Sequence, residues 1–225
     1  MTKEPLLYCI LDLGYVHEAE AERVAAELLA GGADLLQLRA KGHALSLIES
    51  VARRVLPLCR TAGVPFILND HPALAAALGA DGVHLGQDDG SLTDARALTG
   101  NAMLIGRSTH SLAQARAALA EGFDYIGFGP LFPTPTKAGR PAIGLADIAA
   151  MERDVGAHIP AFCIGGIHPG NLAQVLAAGA RRIVMVSALL QAADIQAVTL
   201  AVARICSSSF VGALVTTRGA KPGFT

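Results

Sequence analysis

Eight short apolar segments alternate with eight longer helical patterns, and this alternation constrains the fold more than any other feature of the chain. The apolar segments predict strands near residues 6–12, 34–39, 65–69, 82–85, 102–107, 124–129, 161–165 and 182–186. The helical patterns predict helices near residues 18–31, 44–62, 72–79, 92–99, 111–121, 144–154, 169–178 and 194–206. Glycine follows many of these helices, where it allows the left-handed conformation that ends a helix.

The repeated βα units predict a single-domain (β/α)8 barrel of the TIM type, an α/β fold, over residues 1–206. The strands are almost continuously apolar, as is typical of parallel strands that are buried on both faces. The alternative is an open, doubly wound sheet. That fold would need a glycine-rich phosphate turn after the first strand, and Asp12-Leu13-Gly14-Tyr15 is not one. Residues 207–225 have little periodicity and predict a flexible C-terminal tail.

Three connections from helix to strand share a motif. They are Ala30-Gly31-Gly32-Ala33-Asp34, Leu78-Gly79-Ala80-Asp81-Gly82 and Ala178-Gly179-Ala180-Arg181. Each leads directly into an apolar segment, so the motif predicts a recurrent type of αβ loop.

Composition excludes several classes of protein. The net charge of −1 provides no general attraction for nucleic acid or for an acidic membrane. No segment has the roughly 18 uninterrupted apolar residues of a membrane helix. Cys9, Cys59, Cys163 and Cys206 lie far apart, which predicts buried free thiols in a reducing compartment. We therefore expect a cytoplasmic protein that acts on small molecules, and the sequence leaves a homo-oligomer open.

Basic and polar residues follow the second predicted strand. Gln37, Arg39 and Lys41 recur at every second position, so they lie on one side of the chain while Leu36 and Leu38 face the helices. In a barrel the carboxyl ends of the strands face a common mouth where active sites lie. An arginine pointing into the barrel needs an anion, which is either a ligand or an internal carboxylate. Lys41 has a solvated loop as its alternative.

Acidic residues follow the third and fourth predicted strands. Asn69 and Asp70 end one strand, and Asp88 and Asp89 follow the next. Carboxylates that meet across the mouth suit Mg²⁺, which takes one or two carboxylates and completes its shell with substrate oxygens and water. The alternative for each of these residues is to cap the following helix. His84 is predicted to be a hydrogen-bonded core histidine, because Mg²⁺ prefers oxygen ligands.

Hydroxyl groups and a lysine follow the fifth and sixth predicted strands. Ser108 and His110 lie where they could contact a substrate, and Ser111 is a good cap for the next helix. The segment Gly127–Lys137 stops a strand at Gly-Pro and then presents Thr134, Thr136 and Lys137. These groups suit an anionic, phosphorylated ligand, and a solvated loop is the alternative.

Glycine and serine follow the seventh and eighth predicted strands. Gly165 and Gly166 allow backbone N–H groups to approach a phosphate, and Val186 and Ser187 end the last strand. Loops seven and eight are the usual phosphate site of this fold, although Gly-Gly also suits a plain tight turn. The mouth is thus predicted to have two anion-binding zones. The first, the pyrophosphate zone, contains Arg39, Lys41 and Lys137 with a metal at Asp70 and Asp89, and the second contains Gly166 and Ser187. Two zones suggest two phosphorylated substrates, one of them a pyrophosphate that needs a metal.

In this order the residues resemble the thiamine-phosphate synthase family over about residues 6–206. The matching segments are Gln37–Lys41, Asn69-Asp70, His84–Asp89, Ser108–His110, Gly129–Lys137, Ile164–Ile167 and Val186-Ser187. The resemblance implies a barrel enzyme that joins a hydroxymethylpyrimidine pyrophosphate to a thiazole phosphate. The products would be thiamine phosphate and pyrophosphate, with Mg²⁺ as the required cofactor.

The resemblance also implies a role for each site residue. The residues that would hold the pyrimidine pyrophosphate are Gln37, Arg39, Lys41, Asn69 and Lys137. Those that would bind the thiazole phosphate are Thr134, Thr136, Gly166, Val186 and Ser187. Asp70 and Asp89 would bind Mg²⁺, and Ser108 would activate or position the pyrimidine. The implied mechanism is dissociative, with Arg39 and Lys137 stabilising the departing pyrophosphate.

Two features depart from the pattern of this family. Arg107 occupies a position where a small apolar residue is more usual, and the 138–143 segment is slightly short. Two alternative functions share the scaffold. A thiazole tautomerase would use His110 but tends to lack the complete set of charged residues, and a non-catalytic protein that binds thiazole phosphate would have no use for the pyrophosphate zone.

Overall fold

Eight parallel strands pair in chain order, and the last strand also pairs with the first, which closes the sheet into a barrel. This computed structural model describes residues 6–134 and 141–218, with only the backbone described for residues 209–218. The closed barrel confirms the predicted (β/α)8 fold and excludes the open sheet.

The strands and helices lie close to the predicted positions. The strands are β1 Leu7–Asp12, β2 Leu35–Arg39, β3 Phe66–Asn69, β4 Gly82–Leu85, β5 Leu104–Thr109, β6 Tyr125–Phe128, β7 Ala161–Cys163 and β8 Arg182–Met185. The helices are α1 Ala21–Ala30, α2 Leu45–Ala62, α3 Pro72–Leu78, α4 Leu92–Thr99, α5 Leu112–Glu121, α6 Ile148–Met151, α7 Pro169–Ala177, α8 Ser187–Leu190 and α9 Ile195–Arg218. A 3₁₀ turn, Glu18–Glu20, precedes α1.

The shared αβ-loop motif has a physical cause. The carboxylate of Asp34 accepts hydrogen bonds from the backbone N–H groups of Leu6 and Leu7 at 2.9 and 3.0 Å. Asp81 accepts from the N–H of Phe66 at 2.8 Å, in the strand before its own. These N–H groups lie at the start of a strand, where the carboxylate satisfies a donor that would otherwise be buried. In these two connections the aspartate therefore fixes one strand against its neighbour at the end of the barrel opposite the mouth.

Three aromatic rings fill the barrel interior below the mouth. Tyr8, Tyr125 and Phe162 are buried and contact one another edge to face, with ring centroids 5.3 to 6.0 Å apart. Gly106 makes room for this cluster, because a Cβ atom there would lie 2.0 Å from the ring of Tyr125. The rings lie beneath the mouth, and Tyr8 lines it.

The ends of several helices differ from the predictions. The helix predicted at 144–154 begins later, at Ile148, and continues from Met151 into a π-helical segment, Glu152–Gly156. The last helix runs to Arg218 and so passes the predicted end at residue 206. Serine lowers helix propensity only modestly, and the hydroxyl of Ser208 donates to the carbonyl of Arg204 inside the helix. The serines that suggested an early tail therefore do not end the helix.

The four cysteines are free and buried, as predicted. Within residues 6–134 and 141–218, no helix is both long and apolar enough to cross a membrane. The cytoplasmic location, the flexible tail and the homo-oligomer stay predictions.

Candidate functional site

A cavity lies at the carboxyl ends of the strands and is lined by residues from all parts of the barrel. Its polar side chains come from Tyr8, Gln37, Arg39, Asn69, His84, Ser108, His110, Thr134 and Ser187. Its apolar and glycine residues include Ile10, Gly127, Gly129, Ile164, Gly165, Gly166, Val184 and Val186. The structure therefore brings most of the predicted site residues together in one mouth.

The guanidinium of Arg39 is held by a buried carboxylate that the sequence analysis did not identify. Asp12, at the end of β1, pairs with Arg39 in the strand register and accepts a hydrogen bond from its Nη1. The other carboxylate oxygen of Asp12 accepts from the backbone N–H of Gly14 at 2.9 Å. The sequence left an internal carboxylate or a ligand as the anion for Arg39. Arg39 forms an internal ion pair and also lines the cavity, so it can meet both. The only sequence signal for Asp12 was a carboxylate directly after an apolar strand.

The acidic residues meet at the mouth. The Nζ of Lys41 lies 3.1 Å from the carboxylate of Asp70, so Lys41 is paired rather than merely solvated. The carboxylate of Asp89 lies next to that of Asp70. Burial, and then the neighbouring Asp89, raise the pKa of Asp70, while Lys41 acts in the opposite direction. Two carboxylates in contact destabilise each other's charge, and a cation between them would relieve that repulsion.

The backbone supports a special role for Asp70. Its φ is +68°, a left-handed value that costs energy in a residue with a side chain. The backbone N–H of Asp70 donates to the carbonyl of His84 at 2.9 Å, so β4 holds the residue in this conformation. Strained backbone of this kind is concentrated at functional sites.

Helix capping does not account for these acidic residues. His71 occupies the N-cap position of α3 without a side-chain hydrogen bond, and Ser91 caps α4 by accepting from the N–H of Asp94. Asp89 instead accepts from the N–H of Gly86 at 2.7 Å, within its own loop. The capping alternative is therefore wrong for Asp70 and Asp89, whereas the predicted cap of α5 at Ser111 is confirmed.

A chain of buried hydrogen bonds crosses the floor of the mouth. The amide Nε2 of Gln37 donates to the hydroxyl of Tyr8 at 2.7 Å, and the hydroxyls of Tyr8 and Tyr125 lie 3.2 Å apart. Nδ1 of His84 lies 3.2 Å from the Tyr125 hydroxyl, and Nε2 lies 2.9 Å from Oγ of Ser108. His84 is thus the hydrogen-bonded core histidine that the sequence predicted. Both tyrosines were missed, because a tyrosine in an apolar strand is usually only a packing residue.

Burial fixes the protonation of the two phenols. It raises the pKa of Tyr8 and that of Tyr125 above the ordinary value of a tyrosine, and the nearby Tyr8 raises the pKa of Tyr125 further. Both hydroxyls therefore keep their protons near neutral pH. The chain of hydrogen bonds connects Gln37 in β2 to Ser108 in β5.

His110 has a partner that the sequence did not indicate. Its Nδ1 forms a short hydrogen bond with the carbonyl of Gly129, and its backbone N–H donates to Oε1 of Gln114. The ring is thereby fixed to the loop after β6.

The opposite side of the mouth is formed by glycines and by the start of α8. Gly165 and Gly166 have φ values of +99° and +66°. A Cβ atom on Gly166 would lie 2.7 Å from the Cβ of Phe132, so the two loops approach closely only because this residue is glycine. Ser187 is the first residue of α8 and follows Val186 at the N-cap. Short helices after the last strand commonly form part of a phosphate site in this fold.

Thr136 and Lys137 lie outside the described residues, as do residues 138–140 of the segment that the sequence analysis found to be short. Thr134 is described and lines the cavity. Within the described ranges, no group of three or more His, Cys, Asp or Glu residues could hold a metal ion. A cation at Asp70 and Asp89 would therefore take its other ligands from a substrate and from water, which suits Mg²⁺.

The closed barrel and its polar mouth define the class of the molecule, a (β/α)8 barrel with a cavity where enzymes of this fold bind their substrates. The family model described as thiamine monophosphate synthase matches residues 7–189. The chain belongs to this family.

Individual relatives agree with that assignment. The chain is 51% identical over 181 residues to a thiamine-phosphate synthase of Thermus thermophilus, covering 80% of this chain and 86% of that one. It is 42% identical to a thiamine-phosphate synthase of Bacillus velezensis, covering 78% and 80% of the two chains. The solved structure of a thiamine phosphate pyrophosphorylase from Pyrococcus furiosus superposes with a TM-score of 0.82 at 31% identity, covering 91% and 96%.

The Asp12–Arg39 pair generates a prediction about stability. Replacing Asp12 by alanine should lower the free energy of unfolding by about 3–5 kcal/mol, because it removes the carboxylate partner of a largely buried charge. Urea unfolding measures this change. Glu49→Ala is the matched control, since it breaks the exposed Glu49–Arg53 pair and should cost at most about 1 kcal/mol. Equal losses in the two variants would contradict the role of Asp12.

Proposed function

We propose that the protein condenses a hydroxymethylpyrimidine pyrophosphate with a thiazole phosphate to give thiamine phosphate and pyrophosphate. The observation that carries this proposal is the arrangement of two polar zones on opposite sides of one mouth. Arg39 in β2 lines the mouth and the Lys41–Asp70 pair follows β2 and β3, whereas Gly166 lines the mouth after β7, four strands from β3 around the barrel. Identity of 51% to a thiamine-phosphate synthase supports the same reaction.

The first zone suits the pyrophosphate. Arg39 lines the cavity, while Lys41 pairs with Asp70 and lies where it can exchange that partner for a phosphate oxygen. Asp70 and Asp89 would hold Mg²⁺, for which two carboxylates in contact are suitable ligands. When bound, the cation would neutralise part of the pyrophosphate charge. The role of Lys137 in this zone depends on the resemblance alone.

The second zone suits the thiazole phosphate. Gly166, Val186 and Ser187 line the same cavity as Thr134, and the start of α8 is electropositive because its N–H groups are not used inside the helix. Thr136 would join them by the resemblance. The two substrates would then approach each other across the floor of the mouth.

The proposed chemistry needs fixed positive charge but no base. The C–O bond to the pyrophosphate breaks first, and both electrons leave with the pyrophosphate, which Arg39 stabilises as charge develops on it. The thiazole nitrogen then gives its lone pair to the pyrimidinyl-methyl cation and forms the new C–N bond. That nitrogen carries no proton, so no residue has to remove one.

The buried hydrogen-bond chain supports a definite position for the pyrimidine. An amide nitrogen only donates, so the Tyr8 hydroxyl accepts from Gln37 and donates its own hydrogen bond to the Tyr125 hydroxyl. Tyr125 then donates to Nδ1 of His84, and Nε2 of His84 donates to Ser108. In this arrangement the Ser108 hydroxyl can donate a hydrogen bond to a ligand, and the side-chain oxygen of Gln37 can accept one. A donor and an acceptor match the ring nitrogen and the amino group of an aminopyrimidine.

The reaction itself is the first test. Purified protein should form thiamine phosphate from both substrates in the presence of Mg²⁺, and excess chelator should abolish the reaction until Mg²⁺ is added again. Product can be followed by chromatography, with circular dichroism as the control that the chelator leaves the fold intact. Full activity in excess chelator would contradict the metal assignment, and no product under any condition would contradict the proposed reaction.

The hydrogen-bond chain predicts the effect of Tyr125→Phe. The change leaves a buried group without its partner at a cost of about 1–3 kcal/mol, so kcat/KM for the pyrimidine substrate should fall roughly tenfold or more. The KM of the thiazole phosphate should stay unchanged. Tyr15→Phe is the control, since it removes the same atom from a tyrosine outside this cavity.

The direction of the chain can be measured separately. Nitrogen NMR of the parent protein should find His84 with its proton on Nε2, and Tyr125→Phe should give a mixture of tautomers. A proton on Nδ1 in the parent would reverse the direction and overturn the proposed position of the pyrimidine.

Separate zones predict a selective effect of Ser187→Asp. A carboxylate at this position repels the phosphate, which should weaken thiazole phosphate binding by about 1–3 kcal/mol while binding of the pyrimidine substrate changes much less. Calorimetric titration with each substrate measures both effects. Ser187→Asn, which has nearly the same shape without the charge, is the control. If both substrates lost affinity equally, the zones would not be separate.

A further inference from the structure

Arg107 lies on the outer face of β5 and contacts the loop that carries the acidic residues. Its neighbours Gly106 and Ser108 point to the barrel interior, so the Arg107 side chain points to the helices. Nη1 of Arg107 donates to the carbonyl of Gly90 at 2.8 Å, and Nη2 donates to the carbonyl of Gln87 at 3.2 Å. The Gln87 carbonyl lies immediately before Asp88 and the Gly90 carbonyl immediately after Asp89, so the two carbonyls flank these acidic residues.

The acidic turn, residues 86–90, is held from the inner side as well. Nε2 of Gln87 donates to the carbonyl of Ser108. The carboxylate of Asp89 accepts from the N–H of Gly86. Since the Asp89 side chain is bound to the backbone of its own turn, any movement of that backbone also moves the carboxylate relative to Asp70.

The guanidinium is itself held in place. It lies over the ring of Phe123 with Cζ 5.3 Å from the ring centroid, and Phe123 is buried. A planar guanidinium can donate to two carbonyls while it stacks on a ring, whereas a lysine ammonium at the same position would not reproduce both. The residue type therefore matches the geometry.

We infer that Arg107 is a positioning residue that fixes the acidic turn so that Asp89 meets Asp70 in the arrangement a divalent cation needs. This inference rests on the proposed function, in which Asp70 and Asp89 hold the cation. Arg107 does not contact the cation or the substrates in this account. It acts through the backbone of residues 86–90.

The test measures metal binding rather than turnover. Mn²⁺ is the probe, and its binding in the presence of inorganic pyrophosphate is followed by electron paramagnetic resonance. Arg107→Met keeps the contact with Phe123 but loses both hydrogen bonds, and it should weaken Mn²⁺ binding by about 10–100-fold, the range for residues that orient metal ligands. Arg107→Lys should fall between this variant and the parent protein. Arg53→Met, on the exposed surface of α2, should leave binding unchanged.

Hydrogen exchange separates positioning from general stability. In Arg107→Met the amides of residues 86–90 should exchange faster, while those of β1, β2 and β8 keep their protection. Loss of protection throughout the barrel would assign Arg107 a purely structural role and overturn the inference. Should the methionine variant fail to fold, Arg107→Lys serves for the same two measurements, and unchanged Mn²⁺ binding with unchanged exchange would overturn the inference.

Asp89→Asn in the same assay separates the role of Arg107 from that of the metal site itself. If Asp89→Asn weakens Mn²⁺ binding and folded Arg107→Met does not, the inference about Arg107 is wrong and the proposed metal site stands. If Asp89→Asn has no effect, the proposed metal site fails, and with it the basis of the inference.

Discussion

The pairing of β8 with β1 is the constraint on which the site depends. Leu7 pairs with Ile183 and Cys9 with Met185, and this closure makes the ends of β1, β2 and β8 neighbours around one mouth. In an open sheet, Ser187 after β8 and Arg39 in β2 would lie far apart. Closure brings the ends of all eight strands around one mouth, so that polar residues scattered along the chain line a common cavity.

The floor of the mouth shows how the barrel tolerates polarity in its interior. A buried polar group is costly unless it finds a partner, and here every member of the chain from Gln37 to Ser108 has one. Asp12 does the same for Arg39. The same side chains therefore serve packing and polarity, because Tyr8 and Tyr125 contribute their rings to the core and their hydroxyls to the buried hydrogen-bond chain.

The acidic side of the mouth follows a different principle. Asp70 and Asp89 lie in contact although like charges repel, and Asp70 has a backbone conformation that is unfavourable for a residue with a side chain. Neighbouring groups hold this arrangement: His84 through its carbonyl, Gly86 through its N–H, and Arg107 through the backbone of the turn. The hydrogen bonds around Asp70 and Asp89 thus offset the free-energy cost of holding the two carboxylates together.

The sequence by itself determined the barrel and most of the site. Alternating apolar and helical periods depend only on local chain geometry. Polar residues at strand ends lie around the mouth once the barrel closes, and Gln37, Arg39 and Ser187 do line its cavity. Only the tertiary structure decided the partners: Asp12 for Arg39, Tyr125 for His84, and Arg107 for the acidic turn. The physical reason is that these contacts join residues 17 to 41 positions apart, and their distances depend on strand register and side-chain packing, which no local pattern encodes.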